Sequence, residues 1–499
     1  MKILTVEQTR TLDQYTIEHE PIAPINLMER AAQAFTDWYT ARFDKTRPVR
    51  IFCGLGNNGG DGLAIARLLT QLEYSVQTYV VRYAPRESDD FMHNHRRLKL
   101  ISSINYIENE RDIPIIRNRE VVIDAILGSG LSRTTEGIVQ AVIDAINHSP
   151  ATVVAVDIAS GLFADTANGP NSTIIQPDYT VAFHLPKLAF LQPTLGLYVG
   201  EWHWVDIGLS RVFIERTPTT YFYTTEQEAR HLLRPRNRFS HKGSFGHALL
   251  LVGSYGKIGA GVLSARACLR SGVGLLTVQM PRCGYEILQT TVPEAMCLPD
   301  GHLHILSGQS ELEAPELSSY SAIGVGPGIG TAPETLAMLR KLLSEAQKPM
   351  VIDADAINLI ARNRDLIDKI PKNSILTPHP KEFERLTRRW TSDYDKLGIL
   401  RDFAQRNQFV VVLKGAHTAI ATPDGTTHFN STGNPGMSTG GTGDVLTGIL
   451  TALIAQGYDP VEAAVLGVFE HGRAGDRAAE HHGPIGLTAS DIIESLRWD

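Results

Sequence analysis

Residues 430–450 read NSTGNPGMSTGGTGDVLTGIL, and the C-terminal half of the chain is organised around this stretch. Gly433, Gly436, Gly440, Gly441 and Gly443 crowd together and then give way to the mostly apolar run Val445–Leu450. The pattern predicts a flexible loop feeding a helix, with Asp444 at the helix start. Glycines let backbone N–H groups converge on a phosphate, and the positive end of the helix adds to the field. Two roles are open to an aspartate there. It can cap the helix, as Asp often does, or take a proton from a hydroxyl attacking a bound phosphate. The flanking glycines and small residues favour the base.

Working outward, apolar strands alternate with helical segments along the same half. HALLLVGSYGKIGAGVLSARACLRSG (247–272) reads as strand, glycine turn and helix, and is not a Walker A loop because its first glycine is missing. IGVGPGIG (323–330) repeats the theme. VIDADAINLI (351–360) ends a strand in Asp353 and Asp355, where ligand and helix-cap roles weigh equally. ILTPHPKEFERL (375–386) ends one in His379, which could equally be a plain turn residue between prolines. FVVVLKGAHT (409–418) ends one in Lys414-Gly415; Lys414 could be an ordinary solvated lysine, but its place after an apolar strand with glycine behind it favours a nucleotide phosphate or ring. This grammar predicts a mainly parallel, doubly wound sheet.

The N-terminal half obeys the same grammar. Thr5 and Gln8 form a capping-box pattern for a helix over 5–18, and Pro24 opens a second helix reaching about Phe43. VRIFCGLGNNGGDGLAIARLL (49–69) is a strand, a glycine loop and a helix. Gly54, Gly56 and Gly59 satisfy G-x-G-x-x-G, but the next strand (75–82) ends in Arg82 and offers no acid for a ribose. That departure counts against an ordinary NAD-binding domain. Asn57-Asn58-Gly59-Gly60-Asp61 offers amide and carboxylate oxygens, which suit a hard cation or a ribose. EVVIDAIL (120–127) presents Asp124 and runs into GSGLSRT (128–134); ATVVAVDIASG (151–161) presents Asp157 and Ser160. One acid alone is usually a cap, whereas three strand ends together read as one site. DYTVAFHLPKLAF (178–190) looks like a further strand and loop, with little legible chemistry.

At 499 residues the chain calls for two or three domains. Its 47 Lys+Arg against 54 Asp+Glu, net −7, argue against a nucleic-acid or membrane-surface role. Cys53, Cys268, Cys283 and Cys297 show neither zinc spacing nor a disulfide framework. The N-terminal MKILTVEQTR soon turns polar and no apolar run reaches the ~18 residues of a span, so a soluble cytoplasmic protein is expected. The pattern lapses at RVFIERTPTT (211–220), which places a linker at 216–224 between domains 1–215 and 225–499.

The GxGNNGGDG loop with Asp124, Asp157 and Ser160 resembles the N-terminal domain of the bifunctional NAD(P)H-hydrate repair enzymes, over roughly 1–215. The order of strand–glycine loop, DAD, TPHPKEFERL, KG and NPGMSTGGTGDVLTG resembles the ribokinase-like NAD(P)H-hydrate dehydratases, over roughly 225–499. The resemblance implies two doubly wound α/β domains, Rossmann-like then ribokinase-like. The first would epimerise hydrated NADH or NADPH, and the second would dehydrate it with ADP or ATP. In the first domain Asn57, Asn58, Gly59, Gly60 and Asp61 would hold substrate, together with Gly128, Ser129, Gly130, Leu131, Ser132, Arg133 and Thr134. Asp157 would touch substrate as acid/base, and Asn58, Asp124 and Ser160 would hold potassium. The family form at 156–161 is VDIPSG; Ala159 replaces its proline here, loosening the turn but keeping Asp157 and Ser160 in register.

In the second domain Ala260, Gly328, His379 and Asp444 would meet the hydrated nicotinamide nucleotide. Lys414, Gly415, Ala416, His417, Thr418 and Gly443 would hold the adenosine phosphate, with Glu382 near its magnesium-bound phosphates. The resemblance further implies small-molecule partners only (NADHX or NADPHX, ADP or ATP), neither nucleic acid nor membrane, and a homo-oligomer is expected. The competing expectation is a small-alcohol (vitamin-precursor) kinase of the same fold carrying a non-catalytic N-terminal binding module.

Overall fold

Runs rich in Val, Ile, Leu and Ala form strands buried on both faces, the signature of parallel sheets covered by helices. In the computed structural model, which describes residues 1–310, 312 and 316–499, two compact units separate at Thr219/Thr220, with Met1 grouped with the second. The first unit holds seven strands: β1 (Val49–Cys53), β2 (Val76–Val81), β3 (Ile104–Ile107), β4 (Val121–Ala125), β5 (Thr152–Val156), β6 (Tyr179–Phe183) and β7 (Glu201–Val205). They pair in the order β3-β2-β1-β4-β5-β6-β7, every pair parallel. The order reverses between β1 and β4, and at such a switch point the loops leaving the strands diverge to open a crevice. The Gly54–Gly56 turn, with the start of the helix that follows it, and the Leu127–Gly130 loop leave from there.

The expected helices form with modest shifts. Thr5 and Gln8 make the predicted capping box on helix Val6–His19, and Pro24 opens a helix ending at Thr40, short of Phe43. The fingerprint glycines serve packing. A β-carbon on Gly54 would lie 1.8 Å from the Ile126 carbonyl oxygen, and one on Gly59 would lie 2.0 Å from that of Gly54. Strand β1, its neighbour and helix Asn57–Gln71 approach closely only because both positions lack side chains.

The second unit builds a ten-stranded sheet from β8 (Tyr221–Tyr223), β9 (His247–Leu251), β10 (Leu275–Pro281), β11 (Met296–Asp300), β12 (Ala322–Val325), β13 (Met350–Ile352), β14 (Ile375–Leu376), β15 (Val410–Leu413), β16 (Ala419–Ala421) and β17 (Thr427–Phe429). Their order is β11-β10-β9-β12-β13-β14-β15-β16-β17-β8, parallel as far as β15 and antiparallel across β15–β16–β17. Residues expected as linker therefore include a strand, since β8 pairs with β17. Its three-residue YFY run is too short to stand out from a threonine-rich joint. The switch point here lies between β9 and β12, below the Ser254–Lys257 and Gly326–Gly330 turns. Helix Thr442–Ala455 packs on helix Ile258–Arg270, and Gly448 makes the approach possible: its β-carbon would sit 2.2 Å from the Ser264 carbonyl oxygen.

Candidate functional sites

In the first unit a cleft of about 530 Å³ opens at the switch point. Its lining brings together Gly56, Asn57, Asn58, Asp61, Gly128, Ser129, Gly130, Leu131 and Asp157. Gly59 and Gly60 stand outside it, turned inward against Gly54 and the Met28 sulfur. Ser132, Arg133 and Thr134 continue the loop outward as exposed residues beyond the lining.

Asp124, the penultimate residue of β4, is fully buried. Its Oδ1 accepts from the Ser160 hydroxyl at 2.6 Å and the Ile126 N–H at 3.2 Å, and its Oδ2 accepts from the Ser160 N–H at 2.8 Å. Burial pushes its carboxyl up to about 6, although the Ser160 and Ile126 donors pull the other way. Asn58 is buried beside Gly128, and its Nδ2 has no hydrogen-bond partner among the described residues.

Asp157 follows β5 with φ +66, a left-handed conformation that costs a non-glycine residue energy and is held by its surroundings. Those surroundings are specific: its N–H donates to the Val181 carbonyl, while its Oδ1 accepts from the Phe183 N–H at 2.9 Å and pairs with the Lys187 ammonium. Three carboxyls, Asp13, Asp61 and Asp90, share the cleft with it. Burial lifts Asp13 to about 7, with Asp157 adding to the rise, and desolvation raises Asp61 well above the ordinary range, with Asp157 again contributing. Sequence reasoning missed Asp13, Lys187 and Arg10. Lys187 follows a strand end, as the recognised residues do, and that was its available signal. Helix Val6–His19 gave no hint that one of its faces lines a cleft.

In the second unit a smaller cleft of about 390 Å³ is lined by Gly256, Lys257, Gly259, Ala260, Gly328, Ala354, Asp355 and Asp444. Asp444 is not the cap. Gly441, at φ +94, holds the N-cap position of helix Thr442–Ala455 without a side-chain bond, and Asp444 sits in the first turn. The helix N-terminus is left free to receive an anion. The Ser264 hydroxyl fixes the backbone of Asp444 by donating to its carbonyl at 2.9 Å. Burial raises its carboxyl to about 6, with Asp353 and Asp355 adding to the rise and Lys414 opposing it.

Asp353 occupies the N-cap position of helix Ala354–Arg362 but makes no cap bond. Its carboxylate instead accepts from Lys414 Nζ at 2.9 Å and from the Thr447 hydroxyl at 2.8 Å. Gly443 stands over this pair: a β-carbon there would lie 3.4 Å from Lys414 Nζ. Asp355 accepts from the Gly330 N–H at 2.8 Å and from Lys257 at 3.1 Å. Beyond Lys414, Gly415 and Ala416 are exposed, Gly415 and Thr418 close a small turn through the Thr418 hydroxyl, and His417 Nδ1 lies 3.1 Å from the Asn430 carbonyl oxygen.

His379 lies outside the lining shared by Ala260, Gly328 and Asp444. It is the N-cap of helix Pro380–Leu386, its Nδ1 accepting the Lys381 and Glu382 N–H groups. Burial and the nearby Lys414 charge lower its imidazole from the ordinary value. Glu382 returns the cap by accepting from the His379 N–H at 2.9 Å, so its carboxylate is committed to its own helix. Among the described residues no three His, Cys, Asp or Glu side chains group to hold a metal ion, and no helix is long and apolar enough to cross a membrane.

Two family profiles match the chain: NAD(P)H-hydrate dehydratase over residues 248–497 and YjeF-related protein N-terminus over residues 24–189. Proteins named bifunctional NAD(P)H-hydrate repair enzyme Nnr are similar along the whole length. That of Moorella thermoacetica is 35% identical, covering 100% of this chain and 96% of its own. That of Coxiella burnetii is 34% identical, with 98% and 97% covered. A crystal structure of the ADP/ATP-dependent NAD(P)H-hydrate dehydratase from Bacillus subtilis, grown with ATP and Mg2+, is 31% identical; it covers 55% of this chain and 96% of its own at a TM-score of 0.48.

Proposed function

Because the chain belongs to the family of bifunctional NAD(P)H-hydrate repair enzymes, we propose that its two clefts are the two active sites of that repair. The N-terminal half epimerises hydrated NADH or NADPH at C6 of the nicotinamide ring. The C-terminal half dehydrates the S epimer with ADP or ATP. With ADP the products are NADH or NADPH, AMP and phosphate.

Asp444 carries this reading. It shares a cleft with Ala260 and Gly328, and one residue before it Gly443 stands over the Lys414–Asp353 pair at an uncapped helix start. The C6 hydroxyl enters beside Asp444, which takes its proton as the oxygen bonds to the terminal phosphorus of the nucleotide and the bond from that phosphorus to its bridging oxygen breaks, releasing AMP from ADP or ADP from ATP. Lys414 and the free N–H groups of Thr442–Asp444 meet the developing phosphate charge. The C6–O bond then breaks with the electron pair leaving on phosphate, the N1 lone pair assists, and loss of a proton from C5 restores the ring double bond. Phosphate leaves far more readily than hydroxide, which is why the nucleotide is consumed. Mg2+ demands little of the protein, because it is usually held by one or two carboxylates plus substrate phosphates and water.

In the first cleft the C6 hydroxyl departs with help from N1, and water returns to the opposite face. Asp157, anchored by Lys187, is the proton-handling group. Asn58, Asp124 and Ser160 fit a potassium ion: each offers a side-chain oxygen, and all three residues are buried. Bound there, the ion would supply positive charge against Asp124 and stiffen the turn beside the substrate.

The test is to give the purified chain hydrated NADH with ADP or ATP and Mg2+, following NADH absorbance and phosphate. Recovery of NADH with inorganic phosphate is expected. Formation of a stable organic phosphate with no gain of NADH would replace this reading with that of a kinase.

A further inference from the structure

Helix Val6–His19 lies ahead of the segment matched by the N-terminal family profile, yet Thr9, Arg10, Asp13 and Ile17 line the first cleft. Their spacing puts them on one helical face. The cleft lining also carries Asp61, Asp90 and Asp157, and its cations are Arg10 and Lys187. A dinucleotide brings two further negative charges, and Lys187 is paired with Asp157. Arg10 is different. It forms no ion pair among the described residues, and its guanidinium presses on the glycine turn after β4: a β-carbon on Gly130 would fall 2.3 Å from Arg10 Nη2. A planar fork of N–H donors beside the open backbone of a glycine turn is a geometry suited to phosphate oxygens.

Building on the epimerase reading, we propose that Arg10 binds the diphosphate of the hydrated dinucleotide against the Gly128–Gly130 turn. This sets the direction in which substrate lies. The diphosphate is held at the Arg10 end, where the guanidinium offsets the charge of the neighbouring Asp13, and the nicotinamide ring reaches Asp157 and Lys187. It also gives Gly130 a reason to be glycine, because a side chain there would displace the guanidinium.

The experiment uses the full-length chain without ADP or ATP, so that only epimerisation of hydrated NADH is read. Arg10→Ala should raise KM about 10- to 100-fold with kcat within about twofold, the pattern of lost uniform binding. Arg10→Lys, which keeps the charge without the fork, should fall between. Inorganic pyrophosphate should inhibit the wild type competitively and lose potency against Arg10→Ala by a similar factor. Nucleotide-dependent dehydration of the S epimer by the same samples should be unchanged, and the retained kcat for epimerisation separates lost binding from lost folding of the first unit. An unchanged KM in Arg10→Ala, or a fall in kcat at constant KM, overturns the assignment of Arg10 while the epimerase reading stands. A wild-type chain unable to epimerise hydrated NADH overturns both.

Discussion

On the proposed function, the chemistry of the second cleft turns on Asp444. A carboxylate in the first turn of a helix is stabilised by the helix dipole, yet burial together with Asp353 and Asp355 holds its acid form up to about 6. Asp444→Asn should therefore lower nucleotide-dependent dehydration by about 10²–10⁴-fold, the usual weight of a general base, and leave epimerisation intact. Near-normal rates in that variant would reduce Asp444 to a structural residue. The same raised value fixes a pH limb. Only the ionised form accepts a proton, so kcat/KM for dehydration at saturating nucleotide should fall as pH drops through about 6. The stability consequence has the opposite sign. A folded-state value above the ordinary 3.8 favours folding while the group is protonated, and this contribution is lost as pH rises from about 3.8 to 6. At pH 7 Asp444→Asn should accordingly resist denaturant better than the wild type, in keeping with the tension between stability and active-site function. Equal midpoints at pH 5 and 7 would contradict that account.

At the level of elements, the helix carrying Asp444 depends on a close crossing. Gly448 lets helix Thr442–Ala455 meet helix Ile258–Arg270 at the Ser264 carbonyl, one turn from the hydroxyl bond that fixes the Asp444 backbone. Gly448→Ala must spread the helices, at a cost of about 1–3 kcal/mol by analogy with other overpacked cores. Chemical denaturation should show the loss, accompanied by slower dehydration; an unaltered midpoint would mean that the helices part without strain. In the other unit the proposed potassium site draws on three strand ends. Asn58, Asp124 and Ser160 follow or end β1, β4 and β5, and potassium held among them should support epimerisation. Exchanging potassium for tetramethylammonium should slow that reaction, and Asp124→Ala should reproduce the loss and abolish the response to the ion. Indifference to the exchange in the wild type would remove potassium from the site.

The whole molecule joins two activities because hydration of a nicotinamide ring, with no enzyme to select a face, gives both C6 epimers. A dehydratase that must align one hydroxyl with a phosphoryl donor and Asp444 can use a single epimer, since in-line transfer tolerates little misplacement. Full-length Asp157→Asn should then convert hydrated NADH only until the usable epimer is exhausted, apart from slow uncatalysed exchange. Adding full-length Asp444→Asn should restart the reaction, each variant supplying what the other lacks. If Asp157→Asn alone consumes both epimers at one rate, the assignment of Asp157 is wrong.

The sequence by itself determined the two parallel α/β units, because strands buried on both faces read as apolar runs, and glycine turns with Asp, Asn or Lys mark where those strands stop. It also marked the loops now found around the two clefts, since residues at the carboxyl ends of neighbouring parallel strands converge whatever the remaining packing. Tertiary structure alone decided what lies opposite those loops. Helix Val6–His19 has no periodicity that distinguishes a face turned to a cleft from one turned to the core, so Arg10 and Asp13 were illegible. Asp353 looked as much a cap as a ligand until Lys414 and Thr447, 61 and 94 residues away, were seen on its carboxylate. His379 shows a cap that pattern did not reveal, because its Nδ1 accepts the N–H groups of its own helix. Local pattern specifies which groups a strand end offers. Only the folded chain, by bringing distant donors within hydrogen-bond reach, decides which of those groups remain for a ligand.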